Sequence, residues 1–249
     1  ADQLAEAATQ AASCFDRASG VDESWPSLLR YRGLAREMIY LNNGVLTEAE
    51  IDLIGEDLRT ALEADPDDGA AAAALMRYTM TREIRDERLD QAAAATRGRD
   101  KAMEIGRSFL ETNPEDPYVR LLMAQYELQT VFERHAGLPE SERQERIRAG
   151  FTAMTPELEA LEALMREQDP ATVSQMLIEQ FAGLERAVDP AAQLARTREL
   201  VDFYLEQRPD DAGLLTTAAG VARTVGDLDA ASARLAEIGK LPTLPLSLR

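Results

Sequence analysis

Apolar residues recur three and four positions apart along nearly the whole chain, and no segment alternates apolar with polar residues long enough to predict a strand. The first stripe, Leu4, Ala8, Ala11 and Phe15, predicts a helix over roughly 2–18, closed by Ser19-Gly20. Asp22, Ser24 and Pro26 open a second, carrying Leu28, Leu29, Met38 and Leu41, until Asn42-Asn43-Gly44 stops it. Pro26 suits a first turn, where a missing N–H costs nothing. Thr47 with Glu50 three residues on has the form of a capping box and starts a helix over 47–64. After Asp65-Pro66-Asp67-Asp68 come helices near 69–83 and 88–112, then Asn113-Pro114-Glu115-Asp116 and a helix from Pro117 to about 136. Beyond Gly137-Leu138-Pro139, Ser141 with Gln144 caps a helix over 141–150, and Thr155-Pro156 opens another to about 168. Asp169-Pro170 breaks the chain again before helices near 171–187, 190–207, 212–224 and 228–239. Short connections make neighbouring helices antiparallel, so the expected fold is all-α, a stack of helical hairpins.

Three of the breaks share one form: Asp65-Pro66-Asp67-Asp68, Asn113-Pro114-Glu115-Asp116 and Arg208-Pro209-Asp210-Asp211. Each follows a helix that ends in apolar residues, such as Ala61-Leu62 or Phe109-Leu110. Proline stops one helix, and the acids stand at the positive N-terminus of the next. Residues 212–242 carry the clearest unit. Gly226-Asp227-Leu228 is its turn, Ala231 its small residue for close helix approach, and Leu235 the large residue packing behind it. A step of ~34 residues from Pro209 reaches Thr243, one past Pro242.

These residues resemble the tetratricopeptide repeat, a helix-turn-helix unit that stacks into a superhelix. The resemblance implies a right-handed solenoid in a single domain: an N-terminal helix over 1–20, hairpins over 22–66, 69–114, 117–168, 171–209 and 212–242, and an extended tail over 243–249. Pro66 to Pro114 and Pro114 to Pro170 exceed the period, so those hairpins carry insertions or longer helices. The family's first-helix tryptophan is represented only by Trp25.

Forty-five acids against 27 bases leave a net charge of −18. That field repels phosphate backbones, which argues against nucleic acid and favours a neutral or basic protein or peptide partner. Lysine occurs only at Lys101 and Lys240; an arginine-favouring genome and adaptation to salty surroundings both account for it. No apolar run reaches the ~18 residues of a membrane span. The start at Ala1-Asp2-Gln3-Leu4 has neither a signal sequence nor a methionine, leaving a processed periplasmic form and a cytoplasmic form both open.

Cys14 and His135 are single, which excludes an intrachain disulfide and a zinc site of Cys and His ligands. No metal and no cofactor are expected. His135 is read as a helix-end residue interacting with the dipole, and Cys14, beside Phe15, as a buried structural thiol. The acid clusters at 48–50, 65–68 and 227–229 are read as caps. No calcium loop, glycine-rich phosphate loop, Gly-x-Ser-x-Gly elbow or His-Glu-x-x-His helix occurs, so no catalytic residue is assigned. Met76, Met80, Met123, Met154, Met165 and Met176 are read as gap-fillers, with an adaptable binding surface as the alternative.

In tetratricopeptide proteins the first helices line a concave groove that holds peptides. By that resemblance Arg77, Gln125 and Gln129 are groove candidates, with Tyr118 near the rim. The expected function is therefore a non-catalytic scaffold or adaptor. The alternative is a small-ligand or cofactor-holding accessory protein with a cavity inside the superhelix; a helical enzyme is the third reading. Residues 241–249 hold Pro242 and Pro245 among four leucines, which predicts an extended segment folded over the last helix; otherwise that C-terminal face serves assembly with a partner or second copy.

Overall fold

The computed structural model describes residues 2–19, 26–41, 46–86, 90–168, 175–184 and 189–241. Among the described residues there are eleven helices and no strand. They are α1 (Asp2–Ser19), α2 (Pro26–Leu41), α3 (Glu48–Ala64), α4 (Gly69–Asp86), α5 (Gln91–Thr112), α6 (Pro117–Arg134), α7 (Glu140–Glu167), α8 (Gln175–Gly183), α9 (Pro190–Gln207), α10 (Ala212–Thr224) and α11 (Leu228–Ile238). The expected roles of Trp25, Pro170 and Pro242, and the tail over 243–249, fall outside the described residues, as do the side chains of Leu4, Ala8 and Met176.

The three proline breaks adopt one geometry. The residue before each proline accepts a hydrogen bond from the N–H of the acid three positions on: Asp68 to Asp65 and Asp116 to Asn113 at 3.2 Å, Asp211 to Arg208 at 3.1 Å. Proline thus takes the second position of a turn, which its fixed φ favours. The same acid then caps the following helix. Asp68 accepts from the Ala71 N–H at 3.1 Å, Asp116 from Val119 at 2.8 Å, and Asp211 from Gly213 and Leu214 at 2.9 and 3.0 Å. Thr47 and Glu50 complete the expected capping box, and the two hydrogen bonds from Thr47 hold the Glu50 carboxyl below its ordinary value.

The chain forms two compact units, residues 1–126 and 127–249. In the first, α2 pairs with α3 and α4 with α5; α3 and α2 in turn pack on α4, and α1 lies on α2. Helix α4 is enclosed on two sides, which explains its run of alanines. Ala71 and Ala74 join Tyr40, Ile54, Leu58 and Tyr78 in one core, while Ala72 and Ala73 join Ala102, Phe109, Val119 and Tyr126 in another. Two expected gap-fillers do that work here: a Cβ on Gly106 would meet Met123 Sδ at 2.7 Å and Met76 Cε at 2.8 Å. In the second unit α8 pairs with α9 and α10 with α11, and α10 packs on both α9 and α8. This is a helical-repeat arrangement in each unit: a hairpin, then the next hairpin's first helix on its flank.

Burial gives the repeat register. Ile54 and Ala61, Ala102 and Phe109, Thr197 and Tyr204, and Ala231 and Ile238 are all buried pairs seven residues apart. Each pair stands the same distance before residues 66, 114, 209 and 243, matching the sequence expectation for Ala231. Gly226 makes the α10–α11 turn at φ 85°, a left-handed conformation that favours glycine, and Asp227 caps α11 through the Ala230 N–H.

Three expectations are corrected. The helices proposed over 141–150 and 155–168 are one, α7, with Pro156 inside it. Gln144 bonds Glu140 along the helix at 2.9 Å instead of closing a box with Ser141, and Pro139 is the cap residue. Strong helix formers on both sides carry α7 through the one lost N–H. Cys14 is exposed, because Ala12, not Cys14, turns toward Ile39 in the core. Leu235 is 58 % exposed and does not pack behind Ala231. Its equivalent on α3, Leu58, is covered by the next hairpin's α4, and no described helix follows α11 in that way.

Candidate functional site

In the first unit α2 and α4 are the first helices of two successive hairpins and pack on each other. Across that contact Arg77 donates two hydrogen bonds to Glu37, Nε to Oε1 at 2.7 Å and Nη2 to Oε2 at 3.0 Å. Glu37 is buried, while a third of the Arg77 side chain stays exposed, 34 %. Burial pushes the Glu37 carboxyl up from its ordinary value, and the bonds and charge of Arg77 pull against it. The bidentate fork fixes the guanidinium plane, a geometry lysine could not supply.

Tyr126, on α6, is buried against the core that contains Met76 and Met123. Burial drives its phenol far above the ordinary range; Arg77 draws it down and Glu37 raises it further, so all three groups share one electrostatic neighbourhood. The surface therefore centres on Glu37, Arg77 and Tyr126, of which the sequence reading had not singled out Glu37. Glu37 was missed because a single acid on a helix reads as solvated surface; only the α2–α4 contact buries it.

The other expected groove residues are placed differently. Tyr118 is half-buried against the α4–α6 core, and Gln125 is half-buried on α6. Gln129 belongs to the second unit and donates to Glu133 of its own helix at 3.0 Å. His135 lies one residue past α6, in a turn where its N–H bonds the Phe132 carbonyl at 3.2 Å. Met165 is fully buried, and its carbonyl accepts from the Tyr204 hydroxyl at 2.6 Å.

Two further charged clusters pin helices together. Asp57 of α3, buried, receives Arg32 Nε and Nη2 at 2.8 and 2.6 Å and Arg36 Nη1 at 3.4 Å; Arg36 also reaches Asp16 of α1 at 2.6 Å. In the second unit Glu162 of α7 joins Arg166 at 2.7 Å and also Arg196 of α9. Both clusters saturate their acids with arginine, which leaves no carboxylate pair poised for proton transfer in them. Among the described residues no group of three His, Cys, Asp or Glu is arranged to hold a metal ion, and no helix is long and apolar enough to cross a membrane.

The recesses described are modest. One of about 430 Å³ in the second unit is lined by Leu205, Leu215 and the charged residues Asp210, Arg234, Glu237 and Lys240, among others. Another, of about 50 Å³, lies among Phe151, Leu158, Phe181 and Leu184. No protein-family model matches the chain, and no curated protein matches it.

Proposed function

We propose that the protein is a non-catalytic scaffold or adaptor of tetratricopeptide-like hairpins that holds a neutral or basic peptide segment on the first helices of its first unit. The observation that carries this reading is Arg77, part-exposed and fixed in orientation by the buried Glu37. A guanidinium locked in this way loses little entropy when a further N–H donates to a partner's backbone carbonyl. Because Glu37 balances its charge, it does not select acidic partners, and the surrounding field of −18 favours basic ones. Gln125 on the neighbouring α6 supplies amide donors and an acceptor of the kind that bind extended backbone.

The test is capture from a native extract by the wild type and by a Glu37→Gln/Arg77→Gln variant, which removes both charges together and strands neither. A partner of neutral or basic charge retained at low salt and weakened roughly tenfold or more in the variant would support the reading. A partner retained equally by both proteins would exclude this surface. The second reading, a small-ligand holder, draws on the 430 Å³ recess between α9, α10 and α11. Its volume suits a small molecule, and its charged lining is balanced, Arg234 and Lys240 standing with Asp210 and Glu237. Native mass spectrometry of the purified chain, with a bound small molecule lost on Arg234→Ala, would favour it over the scaffold.

A further inference from the structure

The shared register also compares the helices on either side of the breaks at Pro66 and Pro209. Counted from those prolines, Gly55, Leu58, Leu75 and Tyr78 of α3 and α4 correspond to Arg198, Val201, Ala218 and Val221 of α9 and α10. In the first unit these positions are filled. Leu58, Leu75 and Tyr78 are buried in one core, and Ile105 of α5 packs against it. Gly55 makes room for the ring, since a Cβ there would meet Tyr78 Cε1 at 2.8 Å. In the second unit each of the three buried side chains is smaller, and Arg234 of α11 stands at the register position of Ile105. A recess of about 90 Å³ results between α9, α10 and α11, floored by Val201, Ala218, Val221 and Ala222. Its mouth carries charges of both signs, Arg198 and Asp202 from α9, Asp227 and Arg234 from α11. Asp202 lies 3.7 Å from each guanidinium, longer than a hydrogen bond. Part-exposed pairs of this kind are weak, so a ligand's charges can replace them at little cost.

We propose that this recess binds a free α-amino acid with a branched aliphatic side chain of about leucine's size. Size and charge carry it together. An apolar cavity of ~150 Å³ takes a benzene ring, so about 90 Å³ suits a shorter aliphatic arm, seated where Leu75 and Tyr78 stand in the first unit. At the mouth Arg198 and Arg234 donate to the ligand's carboxylate, and Asp202 accepts from its ammonium. An anion would meet the two aspartates and a cation the two arginines, whereas a zwitterion matches both. Being neutral, it is also not repelled by the net charge of −18. The site is independent of the Arg77 surface. It is also distinct from the 430 Å³ recess, whose lining includes Arg234 but neither Val201 nor Ala218.

Isothermal titration calorimetry of the chain 1–249 with L-leucine tests this, beside 4-methylpentanoate, which lacks the ammonium, and N-acetyl-L-leucinamide, which lacks both charges. L-Leucine is expected to bind with a Kd of about 1 mM or tighter, and each analogue about tenfold or more weakly. Ala218→Leu restores the larger side chain that Leu75 supplies in the first unit and is expected to abolish binding while circular dichroism stays helical. Asp202→Asn, at an exposed position, is expected to weaken L-leucine about tenfold and leave 4-methylpentanoate unweakened, a difference that a loss of folding would not produce. No binding of L-leucine by the wild type would overturn the proposal, as would equal binding by a folded Ala218→Leu or by Asp202→Asn. Equal affinity for N-acetyl-L-leucinamide would also overturn it and assign the recess to a side chain of a peptide.

Discussion

Asp116 stands where the ends of two helices meet. It caps α6, and its carboxylate lies against Gly69, the first residue of α4, with Asp68 near by. Burial raises its carboxyl above the ordinary 3.8, and the Asp68 charge adds to this. The folded state therefore binds this proton more tightly than the unfolded chain does. The stability it contributes is fully present below the unfolded value and is lost as pH rises through the folded one. Asp116→Asn keeps an acceptor for the Val119 N–H without the charge. Its melting temperature relative to wild type is expected to shift in the variant's favour between about pH 3 and pH 7. Thermal scans across that range check the sign; a shift toward the wild type would mean that the carboxylate stabilises the fold. At Gly69 an added Cβ would overlap the Asp116 carboxylate. Gly69→Ala is then expected to destabilise by about 1–3 kcal/mol in chemical denaturation, although alanine elsewhere in a helix gains about 1 kcal/mol over glycine.

Helix ends were legible because their chemistry is local. Proline, the acid two residues later and the next helix's first N–H groups all lie within a few positions, and the three breaks form the turn and cap that this spacing implies. α7 is the element where the same reasoning failed. Thr155-Pro156 reads equally well as a helix start or as a proline inside a helix, and the apolar contacts of Ile147, Leu158, Leu161 and Met165 along one continuous helix decide between them. The two alternatives predict opposite mutational effects. A proline at a first turn costs nothing, whereas an interior one costs up to ~3 kcal/mol. Pro156→Ala is accordingly expected to raise the unfolding free energy by about 1–3 kcal/mol. A neutral or negative change in urea denaturation would instead indicate a break at 155–156.

Over the whole molecule the acid surplus and the ion pairs act in opposite ways. The inter-helix pairs with a buried carboxylate, Glu37 with Arg77 and Asp57 with Arg32 and Arg36, are shielded from solvent ions. The remaining surface carries the −18 and repels itself. Salt shortens the reach of exposed charges to about 8–10 Å near physiological strength. The melting temperature is therefore expected to rise as sodium chloride increases from about 0.02 to 0.3 M. A fall over that range would mean that exposed ion pairs outweigh the repulsion.

The sequence by itself determined most of the helices, the turns and caps at the three proline breaks, and the burial of Ala231, because these depend on contacts within about one turn and on a periodic apolar face. The tertiary structure decided what lies across helices. Glu37 and Arg77 are 40 residues apart, Arg32 and Asp57 are 25, and Asn113 reaches the Pro66 carbonyl across 47. No local signal separates these charges from solvated ones, since only packing removes the water around them. The same holds in reverse for Leu235: its place in the repeat makes it apolar, and its exposure follows from what stands beside α11.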